Sequence, residues 1–252
     1  MKKVILLSVT FALLIAATAF RSDLQTKASF QPVAVIELFT SQGCSSCPSA
    51  DHLLAQTIKE AKKDGRQIFA LSFHVDYWNR LGWADPFSAK EYSQRQGAYA
   101  TQLKLSSAYT PQMVVNGSRE FVGSDEHDLK NALNNSLNAM PVAGFKLLAV
   151  SVKNNAPPKV KFLLDGTYAG CNINFALVSL SETTAIKRGE NGGLTLTNEN
   201  VVRQFVSIPA IAEGEISFKA SPVPAGNNIA IIAYIQQTNT LKIIGAAKAE
   251  IN

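Results

Sequence analysis

Cys44 and Cys47 stand two residues apart in LFTSQGCSSCPSADHLL, residues 38–54. That spacing lets the second sulfur reach the first. The pair can therefore serve as a redox-active dithiol, as two ligands of a metal, or as a static structural clip. It falls where an apolar run gives way to a helical pattern. Unpaired backbone N–H groups at a helix start favour negative charge, so a thiolate at Cys44 would be stabilised there. In the redox reading Cys44 attacks a partner disulfide and Cys47 resolves the mixed disulfide. Pro48 falls in the first helical turn, where a missing N–H costs little. The intervening Ser45 and Ser46 bring hydroxyls but no positive charge, which predicts a moderate lowering of the Cys44 pKa.

Other residues offer chemistry around this pair. His74 and Asp76 end an apolar run, and His52 lies in the helical segment after the cysteines. A histidine joining the two sulfurs would give a copper or zinc site, but the spacing lacks a tight ligand pattern. The aromatic-rich stretch VDYWNRLGWADPF (75–87) carries Tyr77, Trp78, Trp83 and Phe87. These either form a partner-binding rim or pin the loop to its own domain. KRGENGGLTLTNENVVR (187–203) reads as an ordered hairpin or loop. No strand-to-helix pattern surrounds its glycines, so a phosphate loop is not predicted, and an interdomain strut is the expected role. Cys171 begins a β-like run and reads as a small buried apolar residue.

The elements that must position these residues follow from periodicity. VAVIELF (33–39) and QIFALSFHV (67–75) read as buried strands. CPSADHLLAQTIKEAKKDG (47–65) reads as a helix, with Leu53, Leu54, Ile58 and Ala61 at helical spacing and a Lys62, Lys63, Gly65 stop. Residues 87–104 read as a second helix. PQMVVN and REFVG flank Asn116-Gly117-Ser118, a hairpin signal. SDEHDLKNALNNSL (124–137) reads as a closing helix. Alternating strands and helices predict a sheet with parallel pairs, with chemistry at the carboxyl ends of its strands. Beyond Pro141 the pattern becomes a series of short strand-like runs separated by Gly, Pro and Asn, which predicts a β-sandwich.

The 252-residue chain carries 24 Lys and Arg against 19 Asp and Glu, and three cysteines. It begins with Lys2 and Lys3, a short apolar run and Ala17-Thr18-Ala19, the pattern of a secretory leader cleaved after Ala19. The run is short for a bilayer span of about 20 residues. No later segment is long and apolar enough to cross a membrane. The remaining excess of basic residues is small and forms no stripe, so nucleic acid is not an expected partner. Export places the cysteines where disulfides persist.

VIELFTSQGCSSCPSAD, FHVDYWNRLGWADPFS, YTPQMVVNG and KRGENGGLTLTNENVVR together resemble a family of exported proteins, a domain of unknown function with a thioredoxin-like fold. Residues 33–139 resemble the thioredoxin-like superfamily. That resemblance implies a cis-proline loop at Thr110-Pro111 beside the cysteines, offering backbone to a partner peptide. It also implies that Glu37, on the first strand, relays the proton of the resolving cysteine, a task that burial would suit. Gly43 stands where thioredoxins have a tryptophan.

The resulting expectation is an α/β thioredoxin-like domain followed by an all-β sandwich-like domain. The units are a leader (1–19), a linker (20–32), the first domain (33–140) and the second (141–252). The expected function is thiol–disulfide exchange with protein clients in the periplasm or outside the cell. Cys44, Cys47 and Glu37 would be catalytic, and Thr110, Pro111 and Trp78 would bind substrate. No cofactor and no metal are called for. The alternatives are copper or zinc binding by the same cysteines, or an interaction module with a static disulfide.

Overall fold

The computed structural model describes residues 30–151, 157–219 and 228–251. The leader and residues 20–29 of the linker lie outside them. The strand read at 33–39 runs Ala34–Thr40 (β1), and the cysteine helix runs Cys47–Asp64 (α1). Gly65 ends α1 in the left-handed region at φ 65°, where a residue without Cβ carries no steric penalty, and its N–H returns to the Ala61 carbonyl. Strand β2 (Ile68–His74), helix α2 (Lys90–Gln102), strands β3 (Gln112–Val115) and β4 (Arg119–Val122), and helix α3 (Glu126–Leu137) follow. Strand β1 pairs in parallel with β2 and antiparallel with β3. Asp125 caps α3 by accepting the Asp128 N–H at 2.9 Å.

The second half overturns the expected fold class. Its strands are β5 (Ala143–Ser151), β6 (Lys159–Gly166), β7 (Cys171–Ala185), β8 (Thr195–Pro209), β9 (Glu213–Ser217), β10 (Ile229–Gln237) and β11 (Ile243–Ile251). They do not make a separate sandwich after an α/β unit. Four of them continue the first sheet, giving one mixed sheet of eight strands in the order β11-β10-β7-β8-β2-β1-β3-β4. With 44% strand and 22% helix among the described residues, β-structure dominates. The join lies between β2 and β8. There Ser72 pairs with Val201 in parallel, the Ser72 hydroxyl donates to the Glu199 carbonyl, and Asn200 Nδ2 donates to the Ala70 carbonyl. The remaining strands form a small sheet, β5-β6-β9.

Side-chain alternation explains this architecture. Strand β10, IAIIAYIQQ, is apolar on both faces. Its Ile229, Ile231, Ala233 and Ile235 pack with Phe145, Phe162 and Phe175 between the large and small sheets. Its Ala230, Ile232 and Tyr234 join Val35, Phe39, Leu71, Phe73, Tyr92 and Tyr99 on the other face, beneath α2. A strand covered on one face only would alternate polar and apolar residues, whereas one covered on both becomes uniformly apolar. The sheet curls so that the start of β11 meets the β3–β4 turn, where Ile243 N–H donates to the Asn116 carbonyl at 3.0 Å. Helices α1 and α3 cover the opposite face of β1, through Ala50, Leu54, Leu129 and Leu133 against Ile36 and Leu38.

Candidate functional site

Strand β1 delivers the chain to a tight turn at Ser41–Cys44. Cys44 N–H returns to the Ser41 carbonyl, Gly43 N–H donates to Ser41 Oγ, and Cys47 N–H donates to the Cys44 carbonyl. Helix α1 begins there, with Pro48 in its first turn and no acidic residue in that turn. Cys44 and Cys47 are joined in a disulfide, and both are 0% exposed. Ser45 and Ser46 between them face solvent.

Three of the other expected positions converge on the disulfide. The Thr110 hydroxyl donates to Cys44 Sγ at 3.4 Å, and Trp78 Nε1 donates to that same hydroxyl at 2.7 Å. The Thr110–Pro111 peptide bond is cis. Pro111 packs where β1, α1 and the end of β4 meet. A Cβ placed on Gly123 would stand 3.0 Å from side-chain atoms of Ala50, Leu38 and Pro111, so a side chain there would press on all three. The aromatic loop is pinned to the fold. Trp83 Nε1 donates to Gln42 Oε1, Phe87 stands edge-on to His74, and the Arg203 guanidinium lies over Phe87.

Glu37 does not join them. Along β1, Val35 and Phe39 share its face, and that face looks toward α2, away from α1. Its carboxylate pairs with Arg95 of α2 at 2.7 Å and accepts the Tyr234 hydroxyl. Arg95 in turn reaches Tyr99, Tyr234 and Gln236. This is a closed ionic knot in the core beneath α2.

Two buried carboxyl groups lie on the cysteine side of the sheet, Asp51 and Asp85, and neither was singled out from the sequence; Asp51 is the one on the cysteine helix. It follows Cys47 by four residues, one helical turn, and both are buried on the same face of α1. The Thr40 hydroxyl donates to Asp51 Oδ2 at 3.2 Å. Thr40 pairs with His74 across β1 and β2, so the two project from the same face of the sheet. His74 Nδ1 donates to Asp85 Oδ2 at 2.7 Å. Asp85 also accepts the N–H groups of Gln42 and Phe87, binding the cysteine turn to the end of β2. Among the described residues, Asp51 Oδ1 and His74 Nε2 are buried without a partner at full hydrogen-bond geometry, and the Asn198 side chain lies near enough to Asp51 to help pull its pKa down. Burial pushes the Asp51 carboxyl up to about 6, although His74 and the Thr40 hydroxyl pull it down. Burial opposes charge on His74, but the carboxylates of Asp85 and Asp51 more than offset it and its pKa is raised. Asp85 is likewise disfavoured by burial yet held below its ordinary value by His74 and the backbone donors.

Further contacts with the cysteine turn come from the segment expected to be an interdomain strut, whose Glu190 and Asn191 the sequence marks as polar residues of an ordered hairpin or loop. Between β7 and β8 the chain turns tightly, and Glu190 and Asn191 reach the cysteine turn. Asn191 Nδ2 donates to the carbonyls of Gln42 and Cys44, each at 2.9 Å, and Ser45 N–H donates to Glu190 Oε2 at 2.9 Å. Gln42 Nε2 adds a bond to Asn198 of β8. Their polar types and glycine-rich setting were visible. Their target, 147 residues away for Asn191 and Cys44, was not.

The remaining expected positions stand apart. His52 is exposed on α1 and Asp76 is held by Ser93. Among the described residues, no group of three or more His, Cys, Asp or Glu is placed to hold a metal ion. Cys171 lies between the two sheets, and burial raises its thiol pKa. No helix among the described residues is long and apolar enough to cross a membrane.

A crystal structure of an Agrobacterium tumefaciens protein superposes with a TM-score of 0.68 at 25% identity, covering 88% of this chain and 96% of that one. HBP35 of Porphyromonas gingivalis superposes with a TM-score of 0.65 at 15% identity, covering 89% of this chain and 77% of that one, a likeness of fold. No curated protein matches the sequence. The profile of a protein family of unknown function, DUF1223, matches residues 35–236, from the first strand to the end of β10, and the chain belongs to that family.

Proposed function

We propose that this protein is a thiol–disulfide oxidoreductase acting through Cys44 and Cys47 on the thiols or disulfides of other exported proteins. The observation that carries the reading is the chain of contacts from Trp78 through the Thr110 hydroxyl to Cys44 Sγ, set beside the start of α1. It marks Cys44 as the sulfur facing the Thr110-Pro111 loop, with Cys47 behind it on the helix. The resemblance of residues 33–139 to the thioredoxin-like superfamily supports the same reading, as does the leader pattern of residues 1–19 for export.

In the oxidised protein, a client thiolate attacks Cys44 Sγ. The Cys44–Cys47 bond breaks and a mixed disulfide forms, with Cys47 leaving as a thiolate. A second client thiolate then attacks the client sulfur of that mixed disulfide, and Cys44 leaves as a thiolate. The client has lost two electrons and the Cys44–Cys47 pair has gained them. The reduced protein runs the same steps in reverse on a client disulfide. We assign to Asp51 the proton exchanged by Cys47. It is the buried carboxyl one turn along the same helix face, and its pKa of about 6 suits proton transfer near neutrality. This role replaces the one expected of Glu37. No dissociable cofactor takes part, and nucleic acid is no partner in this reading.

One observation favours a second reading, a static disulfide in an interaction module: both sulfurs are fully covered. Trapping separates the two. Expressed with its leader, Cys47→Ser should accumulate mixed disulfides through Cys44, and Cys44→Ser/Cys47→Ser should not. Absence of any mixed disulfide, with a wild-type disulfide that resists reduction until the protein unfolds, would establish the static reading.

A further inference from the structure

The turn between β7 and β8 is built to hold one conformation. Ile186 is buried, its N–H donates to the Leu194 carbonyl, and its own carbonyl accepts Gly193 N–H. Gly189 and Gly193 take φ values of +77° and +90°, which a side chain would resist. A Cβ at Gly189 would lie 3.2 Å from Trp83 Cβ, so the turn seats against the same tryptophan that holds Gln42.

Two side chains then reach from this platform to the cysteine turn. Asn191 spends both amide hydrogens on the carbonyls flanking Gly43 and is itself buried. Glu190 stands in solvent and takes the backbone N–H that follows Cys44. That hydrogen bond holds the Glu190 carboxyl below its ordinary value. A carboxylate at this point is unusual for a cysteine meant to ionise. It occupies the backbone donor that follows Cys44, and it sets a like charge one residue away from any thiolate there.

We propose that Glu190 and Asn191 form a redox-coupled latch on the Cys44–Cys47 disulfide. Building on the exchange reaction above, the latch governs when that reaction can occur. With the disulfide formed, Cys44 is neutral and both contacts are satisfied, so the backbone on either side of Cys44 is held in place. Once the pair is fully reduced and Cys44 has left the mixed disulfide as a thiolate, Glu190 is repelled, Ser45 N–H turns to the thiolate, and the turn releases Asn191. The latch thus favours the oxidised form and limits access to Cys44 until a client displaces it. Glu190 and Asn191 are positioning residues, since neither touches sulfur.

The test needs no client. Wild type, Glu190→Gln and Asn191→Ala are equilibrated with graded oxidised and reduced dithiothreitol at fixed pH, and the rate of disulfide reduction by a small thiol is followed separately. Glu190→Gln keeps the shape and the acceptor but drops the charge. It should move the equilibrium toward the dithiol by about threefold to tenfold. The difference should shrink in molar salt, where exposed charges are screened. Asn191→Ala should speed reduction at least tenfold, with unfolding by denaturant reported alongside to exclude general loosening. An equilibrium for Glu190→Gln within a factor of 1.5 of wild type, or a shift unchanged by salt, would overturn the latch. Either result stands whether or not client trapping succeeds, so failure of the latch and failure of the exchange reaction remain distinguishable.

Discussion

Arg95 closes on Glu37 from the far side of the sheet, with Nη2 at 2.7 Å from one carboxylate oxygen and 3.1 Å from the other. The glutamate side chain is wholly buried and the arginine nearly so. Four aromatic rings, those of Phe73, Tyr99, Phe205 and Tyr234, stand around the guanidinium. The pair ties β1 to α2 and, through Tyr234, to β10. It therefore joins the two halves of the chain through the core.

Removing one partner strands the other charge. Arg95→Ala should lower unfolding free energy by about 3–5 kcal/mol, as for other broken buried pairs. Glu37→Gln should cost less, because the amide still accepts from Arg95 and Tyr234. Neither substitution should change the thiol–disulfide equilibrium at Cys44–Cys47, because Glu37 faces away from α1. Denaturant unfolding and a dithiothreitol equilibrium check both statements.

Asp51 makes stability depend on pH in an unusual direction. Its carboxyl ionises at about 6 in the fold against 3.8 in the open chain. Between those values the folded protein keeps a proton that the unfolded chain has lost, so its contribution to stability falls as pH rises from about 4 to about 6. The full penalty above that window is about 3 kcal/mol. Asp51→Asn should abolish this fall and stabilise the protein at neutral pH, while the amide oxygen still accepts the Thr40 hydroxyl. The same variant should slow disulfide exchange if Asp51 handles the Cys47 proton. Unfolding curves across pH 4–8 and exchange rates at pH 7 read the two effects separately.

His74 depends on pH in the same direction as Asp51, and Asp85 in the opposite one. His74 has a raised pKa, so its contribution is complete below the unfolded value of 6.5 and is lost as pH climbs through the folded one. Asp85 has a lowered pKa, so its contribution is present above 3.8 and disappears as pH falls through the folded value. Asp85→Asn should remove the second dependence and weaken the first. It should also loosen the cysteine turn, because Gln42 N–H loses a charged acceptor. The change should appear as faster amide exchange at Gln42.

Much of this site was legible as residue types and little of it as neighbours. The cysteine spacing, the helix stop at Gly65 and the Asn116-Gly117 turn each follow from short-range chemistry. The place of the Thr110-Pro111 loop beside the cysteines was implied by the resemblance to thioredoxin-like proteins, and the bond from Trp78 to Thr110 was not legible at all. Asp51 had a signal that was passed over. Cys47, Ala50, Asp51, Leu54, Thr57 and Ala61 make one buried helical stripe, and a charged residue inside such a stripe calls for an explanation. The continuous sheet had a signal too, in the uniformly apolar β10. Runs separated by turn residues suggest strands but do not say which strands pair. The β2–β8 join rests on Ser72, Asn200 and Val201, which have no distinctive pattern. Glu190 and Asn191 depend on that join, so their place at the cysteine turn could not be read before it.

The turn that the sequence did specify offers the sharpest steric prediction. Gly117 has φ +64°, and a Cβ there would overlap the Leu241 carbonyl oxygen at the β10–β11 turn. The overlap is with backbone, which cannot swing aside as a flexible side chain can. Leu241 is itself held by Gln236 Nε2, which donates to that same carbonyl and to the Tyr99 hydroxyl. Gly117→Ala should therefore push β11 away from the β3–β4 turn and break the Ile243–Asn116 hydrogen bond. A loss of about 2–4 kcal/mol is expected, combining a forced left-handed alanine with overpacking. Gly97→Ala, in the middle of α2 with open space around its Cα, is the matched control and should stabilise by up to about 1 kcal/mol. Equal effects from the two alanines in thermal or denaturant unfolding would show that the curl bringing β11 to the β3–β4 turn is not fixed at Gly117.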